Sequence, residues 1–276
     1  MHWHHAVGRE QCAHWSNQEW RQAFVVSDLF RPGQISLAHW ETDRTVLGGV
    51  VPLGEACRLP APPELRAGSF MERRELGVIN IGQAGTVAFD RRTCPLGPLD
   101  GLYLGRGTRD ITFASVDPAQ PAQFYLLSYP AHANHPAQLL RHQEAERTEL
   151  GTPERANCRT LHKYIHPGGI ASCQLVMGLT MLKRGSLWNT LPPHTHLRRS
   201  EVYLYFDLPA AEVVFHLAGS PEATRSLVLR DRQAVLSPPW SVHCGVGTFN
   251  YMFIWGMGGE NQEFADMDPA PLAHLG

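Results

Sequence analysis

The chain has 276 residues, enough for one large domain or two of about 130, and either could bury a sizeable core. Hydrophobic residues make up 43% and charged residues 18%, which excludes a disordered chain, and a net charge of -2 argues against nucleic acid or an anionic membrane as the main partner. No apolar run approaches the roughly 20 residues of a membrane span, and the polar segment around Glu10, Glu19 and Arg21 has no apolar signal-peptide core, so a soluble, cytoplasmic protein is expected.

In chain order, Met1-His2-Trp3-His4-His5 is rich in histidine, but an exposed terminal segment of this kind is assigned no function. Ser16-Asn17-Gln18-Glu19 has the form of a helix capping box, and Trp20 with Phe24 supplies an i, i+4 apolar pair, so a short N-terminal helix is expected. From residue 24 the pattern changes to short β-prone runs at 24–26, 35–37 and 45–51, each bounded by Gly, Pro or Asp, as in an antiparallel all-β fold. Residues 58–63 form a Pro-rich loop. Residues 72–87 read as two strands joined by a Gly-containing turn, followed by strands near 100–104, 110–114 and 124–129. The glycines around Arg106 are read as a turn.

The Gln-, Glu- and Arg-rich stretch from Ala137 to Leu150 reads as a polar loop or short helix and is the best linker candidate. Strands are then expected at 157–165, 173–180, 213–217, 226–229 and 251–255, with a tail from Asn261 lying across the surface. The run Arg73-Arg74-Glu75-Leu76 echoes Arg198-Arg199-Ser200-Glu201 about 125 residues later, which suggests two related barrels. Six scattered cysteines without CxxC pairs are expected to be reduced.

The chemistry concentrates between Asn189 and Leu208. His194 and His196 are two residues apart, so on an extended strand both imidazoles project from one face and can reach one ion. Glu201 lies five residues after His196, an odd offset, and joins them only if residues 197–200 bend the chain before the β-prone run Val202-Tyr203-Leu204-Tyr205-Phe206. His243, in the rigid segment Ser237-Pro238-Pro239-Trp240-Ser241-Val242-His243, offers a fourth ligand. The neighbouring Cys244 is expected to point to the opposite face. In the register of the internal echo, Ser69 and Met71 stand at the places of His194 and His196, and no histidine occurs between His39 and His132, so the first barrel cannot carry the same site.

The spacing His-x-His, four residues, Glu, and a distant His at a Pro-rich turn resembles the metal motifs of the cupin superfamily. Further residues narrow this resemblance: the run 173–180, Trp188-Asn189-Thr190, Glu201-Val202-Tyr203, the loop 238–247, Trp255-Gly256-Met257 and Gly259-Glu260-Asn261-Gln262, with Glu72 to Gly77 and Phe113-Ala114-Ser115 in the first half. Together they are similar to the 5-keto-4-deoxyuronate isomerase family. Leu197 and Cys244 depart from its usual pattern, and the first sixty residues match it poorly.

The resemblance implies an all-β bicupin of two antiparallel jelly-roll-like barrels. The division expected from the residues is a metal-free barrel at 1–136, a linker at 137–156 and a metal-binding barrel at 157–276. The resemblance further implies one divalent ion, zinc, held by His194, His196, Glu201 and His243, and a homo-hexamer with no nucleic-acid or membrane partner. The implied reaction converts 4-deoxy-L-threo-5-hexosulose uronate to 3-deoxy-D-glycero-2,5-hexodiulosonate in pectin and hexuronate breakdown. The alternatives are a 5-deoxyglucuronate isomerase of inositol catabolism, an iron-dependent cupin dioxygenase, and a sugar-acid-binding bicupin without turnover. Arg159 and Lys163, at i and i+4 on one strand face, are the candidates for the substrate carboxylate. His162, Lys163, Tyr164 and Glu260 are candidate bases by residue type, and spacing does not choose among them.

Overall fold

A computed structural model describes residues 1–276. Its one α-helix, Asn17–Phe24, starts where the sequence places it: Ser16 accepts the Glu19 amide and Glu19 reaches back to the Ser16 amide, closing the capping box. Trp20 and Phe24 are buried one turn apart, with ring centroids 5.0 Å from each other. No helix is long and apolar enough to cross a membrane. The remaining regular structure is β-strand apart from five short 3-10 turns.

Two compact units emerge. Residues 1–3, 28–145 and 164–176 form one, and residues 4–27, 146–163 and 177–276 form the other. The first contains a seven-stranded sheet in the order His2–His4, Ile35–Trp40, Thr45–Val50, Phe124–Pro130, Arg74–Asn80, Gly101–Leu104, Gln138–Leu140. Its four-stranded companion runs Cys57–Arg58, Thr112–Ser115, Gly85–Phe89, Arg92–Leu96. Leu76, Val78, Leu102, Phe124 and Leu126 from the larger sheet and Val87, Phe89, Leu96 and Phe113 from the smaller belong to one buried cluster, so the sheets pack face to face around a common core. Phe113 and Phe124 meet across it at 5.3 Å. Truncating either to Ala would cost about 3–5 kcal/mol.

The second unit repeats this order. Its seven-stranded sheet is Glu146–Leu150, Arg159–Ile165, Val176–Leu182, Met252–Gly259, Arg199–Phe206, Gln233–Ser237, Val25–Val26, and its four-stranded sheet is Trp188–Asn189, Cys244–Gly247, Val214–Ser220, Ala223–Leu229. Tyr203 and Tyr205 of the larger sheet meet His216 of the smaller, each at 5.9 Å between centroids. Each unit is thus a two-sheet antiparallel barrel, and the pair is a bicupin. The internal echo is real at the level of strands, since Arg74–Asn80 and Arg199–Phe206 occupy the same place in their sheets.

The two barrels differ at their mouths. At the places of His196 and Glu201 the first barrel has Met71 and Leu76, and Ile111 precedes Thr112–Ser115 as His243 precedes Cys244–Gly247. All three apolar residues lie in the buried cluster. Hydrocarbon therefore fills the space that polar groups line in the second barrel.

Several expectations are corrected. Residues 137–156 are not a linker: Gln138–Leu140 pairs with Gly101–Leu104, and Glu146–Leu150 pairs with the strand from Arg159. Their polar composition belongs to outer strands facing water, where Lys163 Nζ meets Glu146 at 2.7 Å and Thr160 donates to Glu149 at 2.9 Å. The boundaries 1–136 and 157–276 also shift, because residues 4–27 belong to the second unit and 164–176 to the first. The strand expected from Cys173 begins at Val176. The amides of Cys173, Gln174 and Leu175 instead donate to the buried Glu75 carboxylate at 2.7–2.8 Å, which also accepts the Tyr103 hydroxyl. The tail does not simply lie across the surface, since Asp268–Pro269 pairs with His194–Thr195.

Candidate metal centre

The site is built by three segments of the second barrel. After Trp188–Asn189 the chain turns through Thr190, whose φ of 48° is left-handed, and returns as the short strand His194–Thr195. It bends at residues 197–198, as the odd offset to Glu201 requires, and enters Arg199–Phe206. Glu201 is fixed on both sides there, opposite Met257 and Ser237. His243 is delivered by a tight turn in which the Ser241 amide donates to Pro238 at 2.9 Å, just before Cys244–Gly247.

These segments bring the four sequence-selected residues together, with one ligand atom from each lying within 4.8 Å of all the others. Glu201 Oε2 is 3.1 Å from His196 Nε2 and 2.9 Å from His243 Nε2. His243 Nε2 is 3.1 Å from His194 Nε2. Two ligand atoms bound to one ion at about 2.1 Å and roughly right angles would be separated by about 3 Å. The three close spacings, 2.9–3.1 Å, are of that size, and all four ligand atoms lie within 4.8 Å of one another.

The proton positions follow from the neighbours. His196 Nδ1 is 2.7 Å from the Asp266 carbonyl, which only accepts, so Nδ1 carries the proton and Nε2 presents its lone pair to the cluster. Arg199 Nη2 donates to the same carbonyl at 2.8 Å. On His243, Nδ1 faces Ser237 Oγ at 3.4 Å, leaving Nε2 toward Glu201 and His194. Burial, with the nearby His243 next, pushes the His194 pKa down to about 2, so this imidazole is neutral. Burial opposes ionisation of Glu201, but the neighbouring His243 and then His196 outweigh it and hold the carboxyl well below its usual range. Three imidazoles and one carboxylate form a donor set suited to a divalent cation, whose charge would offset lone pairs otherwise pressed together.

The cluster opens into a cavity of about 370 Å³. Leu161, Phe253, Trp255, Met257, Phe264 and Met267 give it an apolar wall, and its polar lining beyond His194, His196 and Glu201 comes from Arg159, Thr180, Thr190 and Tyr203. Arg159 therefore faces the cavity, with Nη1 donating to the Asn157 carbonyl at 2.9 Å, and burial lowers its pKa from the ordinary guanidinium value. Burial, then the Glu201 charge, raises the Tyr203 phenol well above its ordinary value, so its hydroxyl stays protonated.

Lys163 shares the strand face of Arg159 but is not part of the lining. It is bound to Glu146 and lies over the Phe264 ring at 5.2 Å, because the strand carries it past the cavity wall. The other base candidates also fall away. His162 and Tyr164 alternate to the face opposite Arg159 and Leu161, Tyr164 donates to the Leu99 carbonyl at 2.7 Å, and Glu260 is exposed. Cys244, as expected, turns from the cluster and donates to the Asn189 carbonyl at 3.2 Å.

Sequence reading missed the cavity roles of Thr190, Tyr203, Phe264 and Met267. Tyr203 was within reach, since it lies two residues beyond Glu201 on the same strand face.

Fold and donor set define the class: a bicupin whose second barrel holds a three-histidine, one-carboxylate centre under an apolar cavity. A sequence model of the KduI/IolB family matches residues 29–272, and the chain belongs to that family. It is 48% identical over 270 residues to a 4-deoxy-L-threo-5-hexosulose-uronate ketol-isomerase of Lachnoclostridium phytofermentans, covering 98% of each chain. It is equally 48% identical, over 278 residues and 100% of each chain, to a protein of that name from Kineococcus radiotolerans. Among solved structures, an IolB-like protein from Salmonella typhimurium superposes with a TM-score of 0.71 at 15% identity, covering 87% of this chain and 94% of that one. A Bacillus subtilis oxalate decarboxylase mutant superposes with a TM-score of 0.56 at 11% identity, covering 81% and 71%. These last two likenesses speak for the fold alone.

Proposed function

We propose that this protein is a metal-dependent ketol-isomerase that converts 4-deoxy-L-threo-5-hexosulose uronate to 3-deoxy-D-glycero-2,5-hexodiulosonate. The observation that carries this reading is the convergence of His194, His196, Glu201 and His243, the first three of which line a cavity large enough for a six-carbon acid, in a chain 48% identical to relatives of that name. His194, His196, Glu201 and His243 hold one divalent ion; the donor set suits zinc, iron or manganese, and zinc is the ion that the family resemblance implies. When bound, a divalent ion polarises the substrate carbonyl and stabilises the oxyanion that develops on it.

The chain's own groups do the rest. Arg159 pairs with the substrate carboxylate, a role suited to a permanently charged planar fork at the cavity wall. The apolar wall excludes water and packs the methylene carbon of the deoxy acid. The reading places the protein in the cytoplasm, in pectin and hexuronate breakdown, as a homo-hexamer with no nucleic-acid or membrane partner.

The family also includes IolB-like proteins, so the discriminating experiment compares two substrates. With zinc-loaded protein, kcat/KM should be at least tenfold higher for 4-deoxy-L-threo-5-hexosulose uronate than for 5-deoxyglucuronate. The reverse order moves the assignment to inositol catabolism, and turnover of neither favours a binding role.

A further inference from the structure

The isomerisation moves two protons, and the cavity contains a pair of groups suited to one of them. The C2–H bond breaks and its electron pair forms the C1=C2 bond of an enediol, while the C1=O pair moves to O1. C1 then takes a proton as the C2=O bond forms. The net change carries one proton from C2 to C1 and one from O2 to O1. The second transfer needs a donor and an acceptor side by side.

Tyr203 and Thr190 both line the cavity, and their hydroxyl oxygens are 2.9 Å apart. Two hydroxyls carry two protons, and the bond between them uses one, so the pair retains one O–H to donate and lone pairs to accept. The next inward tyrosine along the strand differs. Tyr205 sets its hydroxyl against His216 Nδ1 at 2.8 Å and receives Asn189 Nδ2 at 3.3 Å, deep in the barrel.

Position supports the same reading. Tyr203 follows Glu201 by two residues on one strand face, about 7 Å along the strand, and its ring meets His243 edge-on at 5.5 Å. The pair thus lies within the length of a small sugar acid from the four-residue cluster. Thr190 is a β-branched residue at φ 48°, a conformation such residues rarely adopt, and it presents its hydroxyl to Tyr203 from there.

The other polar groups of the wall are less suited. Arg159 keeps its protons, and the Thr180 hydroxyl is sealed from solvent without a partner.

We propose that the Tyr203–Thr190 hydroxyl pair is catalytic, accepting the proton from O2 and donating its own to O1, so that neither residue carries a net charge after the exchange. This rests on the ketol-isomerase reading above. It leaves the C2–H proton to a separate base.

The test uses zinc-loaded full-length protein and substrate carrying deuterium at C2, with product formation and loss of C2 deuterium from remaining substrate followed together. Tyr203→Phe keeps the ring and removes only the hydroxyl. Its kcat should fall about 100-fold or more while KM changes less than about threefold and the zinc content is unchanged. Because C2–H cleavage does not use the pair, the ratio of deuterium washout to product should rise at least tenfold. Thr190→Val should show the same rise with a smaller loss of kcat, and Thr190→Ser should restore the wild-type ratio, which a packing role would not produce. Wild-type turnover with an unchanged ratio in both Tyr203→Phe and Thr190→Val overturns this inference alone. Absence of wild-type turnover overturns the parent reading instead.

Discussion

His196 donates its Nδ1 proton to the backbone carbonyl of Asp266, 2.7 Å away and 70 residues later in the chain. That bond ties a residue of the four-residue cluster to the C-terminal segment, which also supplies Phe264 and Met267 to the cavity wall and pairs at Asp268–Pro269 with His194–Thr195. Ligand orientation and cavity closure therefore share one support.

Loosening that support should weaken metal binding before it harms the fold. Asn261 Nδ2 donates to the Asp266 side chain at 2.5 Å and holds the turn closed. Asn261→Ala combined with Asp266→Ala is expected to weaken zinc affinity about tenfold, the usual scale for groups that orient ligands. Competition titration with a chromophoric chelator reads this directly, and an unchanged affinity would mean that the Asn261–Asp266 bond does not hold the support of His196.

Removal of a ligand should act more severely. Glu201→Ala takes the only carboxylate from the cluster, and the purified variant is expected to retain less than a tenth of the wild-type metal and to lose activity by about 1,000-fold or more. Elemental analysis beside a rate assay checks both numbers.

In the first barrel the buried Glu75 is predicted to matter for stability and not for metal. It accepts three consecutive amides and the Tyr103 hydroxyl, so Glu75→Gln sets an amide donor against groups that are themselves donors. A loss of about 3–5 kcal/mol is expected. Urea denaturation measures it, and the folded variant should bind zinc as the wild type does.

His39 gives a pH dependence of known sign. Burial first, and Arg74 next, lower its pKa to about 4, against about 6.5 in the unfolded chain. Between these values the unfolded state binds a proton that the folded state does not, so stability falls as pH falls from 6.5 toward 4, by at most about 1.4 kcal/mol per pH unit. His39 stacks on Trp3 at 3.9 Å, and His39→Phe keeps a ring there while removing the titration. Denaturation at pH 6.5 and 5 should show a shallower decline in the variant, whereas equal declines would contradict a buried neutral His39.

Much of this was legible because it rests on short-range periodicity. His194 and His196 at i and i+2, the bend forced by the odd offset to Glu201 and the Pro-rich turn before His243 are local facts, as is the Ser16 capping box. What escaped depends on distant partners. Residues 146–150 look like a loop because an exposed edge strand needs no apolar residues, and the strand pairing of 268–269 with 194–195 has no periodic signature in so short a segment. Lys163 shows the limit of periodicity: it shares the face of Arg159 but sits beyond the cavity wall, bound to Glu146. Residues 173–175 have strand composition, yet their amides are claimed by Glu75, about 100 residues away in sequence.

The central claim is a metal-dependent ketol-isomerase, and it is tested most directly by an NMR time course of zinc-loaded protein with 4-deoxy-L-threo-5-hexosulose uronate, with and without prior removal of the metal. The account predicts that the signals derived from the aldehyde give way to those of the ketose, that chelation stops the conversion, and that added zinc restores it. Folded, zinc-replete protein that leaves the uronate unchanged, or conversion at an undiminished rate after the metal is stripped, would contradict it.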